Sequence, residues 1–216
     1  MSSSRRQFLA RTAIGAGLGL ASAAAALVPT RAMQLGPFYP IEKPIDQDAD
    51  LTRVAGHRGR AKGQYIAVSG RVLDVSGRPI RSAKLELWQT NAAGRYAHHG
   101  DQHNAPLDPD FQGYAVIRSG ADGGYRFLTV RPAPYTAGTF MRAAHIHFSV
   151  DGQYDRLVTQ MYFKDDRLLA QDQALAMDMD HAALPYPDAI FGQEQATGGS
   201  EPESKQYKFD IVLRDG

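Results

Sequence analysis

Residues 82–90 read SAKLELWQT, and within them Ala83, Leu85 and Leu87 alternate with Lys84 and Glu86. Side chains on a strand point to opposite faces with a period of two, so this run is a strand with one buried face. The flanking sequence repeats the pattern. IAVSGRVLDV (66–75) runs into the turn SGRP, and YAVIRS (114–119) is followed by GADGG and YRFLTV (125–130). AHIHFSV (144–150), LVTQMYF (157–163) and QYKFDIVL (206–213) complete the set. Many short strands cut by Gly, Pro and Asp, with no sustained helical period, predict an all-β fold. The expected form is a β-sandwich of short, mostly antiparallel strands whose long loops carry the functional groups. YAVIRS and YRFLTV are expected to pair as a hairpin across GADGG. Residues 171–205, with PYP and TGGSEPES, read as a long loop with one helical turn near 173–180.

The beginning of the chain has a different character. SSSRRQFLART carries the pair Arg5 and Arg6, then AIGAGLGLASAAAALV is a mild apolar run, and PTRA ends at Ala32. A basic start, an apolar stretch and a small-residue end are the parts of an export signal, and the arginine pair marks the twin-arginine type. Residues 1–32 are therefore read as a signal that sends the protein to the periplasm or another extracytoplasmic space, with membrane contact through that signal only. Residues 33–63, which include LGPFYP, are read as an arm laid over the sandwich, and 64–216 as one domain without internal repeats.

Composition narrows the chemistry. The net charge is +1 and no basic stripe is present, which argues against a nucleic-acid partner. The chain has no cysteine, so disulfides and thiolate metal sites are both excluded. A metal here would be held by His, carboxylate or Tyr.

In RAAHIHFSV (142–150), His145 and His147 share one face of a strand whose Ile146, Phe148 and Val150 point the other way. Two readings stand open: a half-exposed strand with two solvated imidazoles, or a pair of metal ligands. Tyr96, ending WQTNAAGRY, and Tyr135, in RPAPYTAG, sit in loops of small residues and prolines. Either alone reads as a rim tyrosine. A phenol, with its ordinary pKa of ~10, ligates only beside a strong Lewis acid. Phenolate and imidazole without thiolate suit Fe(III) better than zinc.

GRVLDVSGRPIRSAKLELWQTNAAGRY, APLDPDFQGY, RPAPY, RAAHIHFSV and LVTQMYF together resemble the intradiol ring-cleavage dioxygenases, nearest to their protocatechuate-cleaving branch. The likeness runs from about Asp48 to Phe163 and returns at YKFDIVLR. It implies that Tyr96, Tyr135, His145 and His147 hold a non-haem Fe(III). It implies that Arg142 stabilises negative charge on the substrate, that Gln160 positions the ring and oxygen, and that Trp88 lines the pocket. Tyr135 would leave the iron and take a proton when substrate arrives. The reaction implied is cleavage of a catechol-type ring between its two hydroxyls by O2, giving a muconate-type product. The segment TAGTFM (136–141) is shorter than in protocatechuate enzymes and lacks their tryptophans, and 33–63 leaves no room for the helical dimerisation domain of catechol-cleaving relatives. Homo-oligomer formation stays open.

Two other readings compete. GRVLDVSGRPIRSAKLEL also resembles transthyretin-like β-sandwich modules that bind without chemistry, and the histidine pair alone would serve a zinc or copper enzyme. Neither uses both tyrosines. His57, His98, His99, His103 and His181 are taken as solvated, with His98 and His99 near the site entrance.

Overall fold

The structure, a computed structural model, describes residues 26–180, 187–195 and 204–215. Its longest strand, β1 (Tyr65–Asp74), organises one sheet. The other sheet is built from β2 (Lys84–Trp88), β3 (Tyr114–Arg118), β7 (His145–Asp151) and β8 (Arg156–Tyr162), in the order β3-β2-β7-β8, all antiparallel. In the first sheet β1 pairs antiparallel with β4 (Gly124–Val130). Its opposite edge takes two strands from the end of the chain, both parallel: β10 (Lys205–Lys208) on its first half and β11 (Ile211–Leu213) on its second. β9 (Gln193–Gln195) closes that edge. A short hairpin, β5 (Tyr135–Ala137) with β6 (Phe140–Arg142), stands apart. The only α-helix among the described residues, α1 (Gln173–Asp178), falls where the helical turn was expected.

The step between β10 and β11 explains a glycine in mid-strand. At Gly70 the Phe209 carbonyl oxygen comes within 1.9 Å of where a Cβ would stand, so no larger residue fits. That carbonyl also accepts the Tyr125 hydroxyl.

Between the sheets, Leu85 and Leu87 of β2 and Ile146, Phe148 and Val150 of β7 pack on Val68, Phe127 and Ile211. Truncating such a residue costs about 3–5 kcal/mol for a Phe to Ala change. The alternation expected in 82–90 and 144–150 is present, with Leu87 opposite Phe148 and Trp88 opposite His147.

The expected hairpin between β3 and β4 does not form. β3 pairs with β2 and β4 with β1, so the turn at 120–124 carries the chain from one sheet to the other. That turn has ordinary hairpin chemistry, with Gly120 and Gly124 bonded and Gly123 at φ 77°. Such chemistry fixes the reversal but not the partner, which is decided by where each apolar face is buried.

The outer face of the second sheet is covered rather than wet. The arm crosses it, and the Glu86 carboxylate, 6% exposed, accepts bonds from Tyr39 Oη, Tyr114 Oη and Lys43 Nζ beside the Lys84 ammonium. Of the expected leader, residues 1–25 lie outside the described residues. Residues 27–33 run along the sandwich. Leu27 N–H donates to Val75 O, Thr30 N–H to Val212 O, and Met33 N–H to Val158 O. Val212 N–H donates to Thr30 Oγ1 and Thr159 Oγ1 to Arg31 O. Among the described residues no helix is long and apolar enough to cross a membrane.

Candidate metal centre

Strand register builds most of the centre. Residues directly opposite on neighbouring strands point to the same face. His147 faces Trp88 across β2 and Gln160 across β8, while His145 faces Tyr162. These five side chains therefore share the outer face of one sheet. The β5–β6 hairpin adds two more, because Tyr135 is opposite Arg142. Tyr96 arrives on the loop after β2. The Asn91 side chain there accepts the N–H groups of Ala93 and Arg95, and Asp101 Oδ2 accepts Tyr96 N–H at 2.7 Å. Gly94, at φ 83°, lets this loop approach the Pro134 carbonyl and so brings Tyr96 beside Tyr135.

All four expected ligands meet. The ring centroids of Tyr96 and Tyr135 are 5.2 Å apart, those of Tyr135 and His145 5.8 Å, and those of His145 and His147 4.7 Å. His145 Nε2 and His147 Nε2 face each other at 3.1 Å. His145 Nδ1 lies 2.6 Å from the Ala143 carbonyl. Donation to that carbonyl fixes the tautomer and leaves the Nε2 lone pair pointing into the cluster. Tyr96 Oη is buried beside the Tyr135 hydroxyl without a well-formed hydrogen bond, and His147 Nδ1 is also buried without a partner. Each such orphan costs about 1–3 kcal/mol, which a bound cation at Tyr96 would recover.

The electrostatics favour neutral imidazoles. Burial, then the Arg142 charge, pushes both histidines well below their usual range. Burial raises the Tyr96 and Tyr135 phenols, and in each case Arg142 opposes the rise. Unaided, the pair stays protonated, so only a strong Lewis acid would turn both phenols into ligands. Among the described residues no group of three His, Cys, Asp or Glu side chains is placed to hold a metal. The two imidazoles thus complete a donor set only with the phenols, and two phenolate oxygens with two imidazole nitrogens suit ferric iron.

Trp88 lies flat against His147, with centroids 4.7 Å apart and planes 5° apart. Arg142 Nη2 donates to Gln160 Oε1 at 2.8 Å and to Tyr162 Oη at 2.9 Å, while Gln160 Nε2 donates to Gln34 O. The arm is part of the centre: Phe38 packs on Tyr96 and Tyr39 on Trp88. Gly36, at φ 76°, passes so close that a Cβ would sit 3.2 Å from His147 Cε1. A cavity of about 230 Å3 opens beside Phe38, Trp88, Tyr96 and His98. His98 is half-buried there, edge-on to Phe38; His99 and His57 are exposed, and His103 is half-buried. His181 lies outside the described residues.

The sequence reading passed over Tyr162, Gly36, Asp101 and Asp172. Tyr162 was legible in principle, since it stands two residues after Gln160 on the same strand face. The other three depend on loop paths, although an Asp just before a helical run is a capping signal.

The family described as Dioxygenase matches residues 35–215. The chain is 44% identical over 186 residues to the protocatechuate 3,4-dioxygenase β chain of Burkholderia cepacia, covering 84% of this chain and 77% of that one. It is 29% identical over 211 residues to hydroxyquinol 1,2-dioxygenase of Nocardioides simplex, where it spans 64% of the relative's length. Among solved structures, catechol 1,2-dioxygenase of Acinetobacter radioresistens superimposes with a TM-score of 0.67 at 22% identity, covering 88% of this chain and 64% of that one. That likeness supports the fold.

Proposed function

The chain belongs to the intradiol ring-cleaving dioxygenases, and from that membership we propose that it holds a non-haem Fe(III) and opens catechol-type rings between their two hydroxyls with O2. The observation that carries this reading is the convergence of Tyr96, Tyr135, His145 and His147, two of whose inward nitrogens stand 3.1 Å apart. Family membership displaces the alternative of a non-catalytic sandwich module.

Ferric iron, when bound, supplies the Lewis acidity that ionises phenols and catechols and the electron acceptor that makes a catecholate ring reactive toward O2. The chain's own residues do the rest. Tyr135 Oη takes the proton of an incoming catechol hydroxyl, a transfer suited to a phenolate of similar basicity. Arg142 offers a fixed positive charge where negative charge develops, shielded from water. Trp88 and the arm residue Phe38 form apolar walls for a flat aromatic ring. Gln160 ties Arg142 to the arm through Gln34 and so keeps ring and cation in register. Both atoms of O2 end in the ring-opened dicarboxylate.

The test is a visible spectrum of the iron-replete protein, repeated with catechol under anaerobic conditions. A phenolate charge-transfer band that shifts when catechol binds is expected; a colourless, iron-loaded protein overturns the assignment.

We also propose that the chain is exported already folded, which Arg5 and Arg6 ahead of a mild apolar run support. Replacing both with Lys should leave active protein in the cytoplasm. Continued export would overturn this.

A further inference from the structure

We propose that Asp172 is a positioning residue that aims the Arg142 guanidinium at the metal-ligand cluster. The proposal rests on the ring-cleavage reading above. Asp172 lies in the long segment after β8, immediately before α1, and is 1% exposed. Its carboxylate accepts four bonds. Arg142 Nε donates to Oδ1 at 3.1 Å and Oδ2 at 3.2 Å, Ala143 N–H to Oδ2 at 2.9 Å, and Leu175 N–H to Oδ1 at 2.8 Å. Capping the helix needs only the last of these, and a neutral side chain would provide it. A buried carboxylate aligned on a buried arginine does more than cap.

The guanidinium is planar, so two anchored nitrogens set its orientation completely. Asp172 holds Nε, and Gln160 and Tyr162 hold Nη2. Nη1 has no protein acceptor among the described residues, which leaves it as the donor free to meet substrate. Without Asp172 the remaining bonds end on neutral oxygens, and the side chain regains rotational freedom about the Nη2 contact. The same carboxylate pins Ala143 through its N–H, and the carbonyl of Ala143 receives His145 Nδ1. An asparagine amide oxygen could still accept the Ala143 N–H, so what only the carboxylate supplies is the charged anchor for Arg142 Nε.

The experiment compares holoenzyme carrying Asp172→Asn, Arg142→Ala or both, reading iron content, the resting visible band, anaerobic catechol titration, kcat and KM. Asp172→Asn should keep iron and resting colour, weaken catechol binding about tenfold and lower kcat by about 10–100-fold, toward the Arg142→Ala value. The double variant should be no worse than Arg142→Ala, because both substitutions remove one device. Wild-type binding and turnover in Asp172→Asn overturns the proposal, as do losses that add in the double variant. If Asp172→Asn alone does not fold, the double variant decides. With neither charge buried alone, and asparagine still able to cap α1, it should fold and match Arg142→Ala, whereas failure to fold would show that the Asp172 carboxylate serves the fold itself and overturn the proposal. A wild type whose colour ignores catechol would instead overturn the ring-cleavage reading beneath it.

Discussion

Trp88 and His147 stand on adjacent strands with their rings parallel and 4.7 Å apart. The indole therefore sets the plane of the imidazole, as a hydrogen-bonded partner does for many metal-ligating histidines. Trp88→Phe should keep the stack and the iron. Trp88→Leu should weaken iron binding about 10–100-fold, the usual cost of losing an outer support of a ligand. Iron retention during dialysis against a graded chelator measures this, and equal retention by both variants would show that the stack orients nothing.

The two tyrosines should not behave alike. Both are buried, at 3% and 4% exposure, but Tyr96 is anchored through its own N–H by Asp101, whereas Tyr135 sits on a three-residue hairpin strand. Tyr96→Phe should weaken the visible band both at rest and with catechol bound. Tyr135→Phe should alter the resting band, leave the catechol-bound spectrum near wild type and slow turnover, since the phenolate that takes the catechol proton is gone. Identical behaviour of the two variants would undo this division of roles.

Glu86 predicts an acid-sensitive arm. Burial opposes its ionisation, but bonds from Lys84, Tyr39, Tyr114 and Lys43 outweigh that and hold it at about 2, against an ordinary value of 4.5. A carboxyl depressed on folding stabilises the fold above its unfolded value, and that contribution drains as pH falls from about 4.5 toward 2. It is on the order of 2–3 kcal/mol. Melts of metal-free protein should therefore show a steeper loss between pH 5 and pH 3 (a range of about two units) for wild type than for Glu86→Gln. Parallel losses would place the acid sensitivity elsewhere.

A chain beginning at Met33 should melt below one beginning at Leu27. It forfeits the hydrogen bonds of Leu27, Thr30 and Arg31, at about 0.5–1.5 kcal/mol each. A drop of about 5–10 °C follows for a domain of this size. Calorimetry of the two forms decides it, and coincident melts would show that these bonds merely decorate the edge.

The parts legible in the sequence are those governed by a local period. The alternation at 82–90 and 144–150 fixed which side chains face the core, and with it the shared face of His145 and His147. Tyr96 and Tyr135 were legible through resemblance only, because neither a loop nor a three-residue strand such as β5 has a pattern that says which distant segment it will meet. The β3–β4 crossover was misread since GADGG reverses the chain equally well within a sheet or between sheets. Asp172 was passed over for a similar reason. Its partner Arg142 is 30 residues away across two strands, and the stretch after β8 that carries Asp172 has no period to follow.

Because β1 pairs in parallel with β10 and β11, one of its edges is completed only by strands far along the chain. As the chain is synthesised, β1 emerges early and β4 covers its other edge, but this edge stays bare until residues 205–213 have followed, a hazard in the interval. Completion of the sheet is therefore governed by long-range pairing and slow for that reason. A chain cut before β10 would not be a slightly shortened enzyme; it would keep one sticky edge of β1 without its native partners.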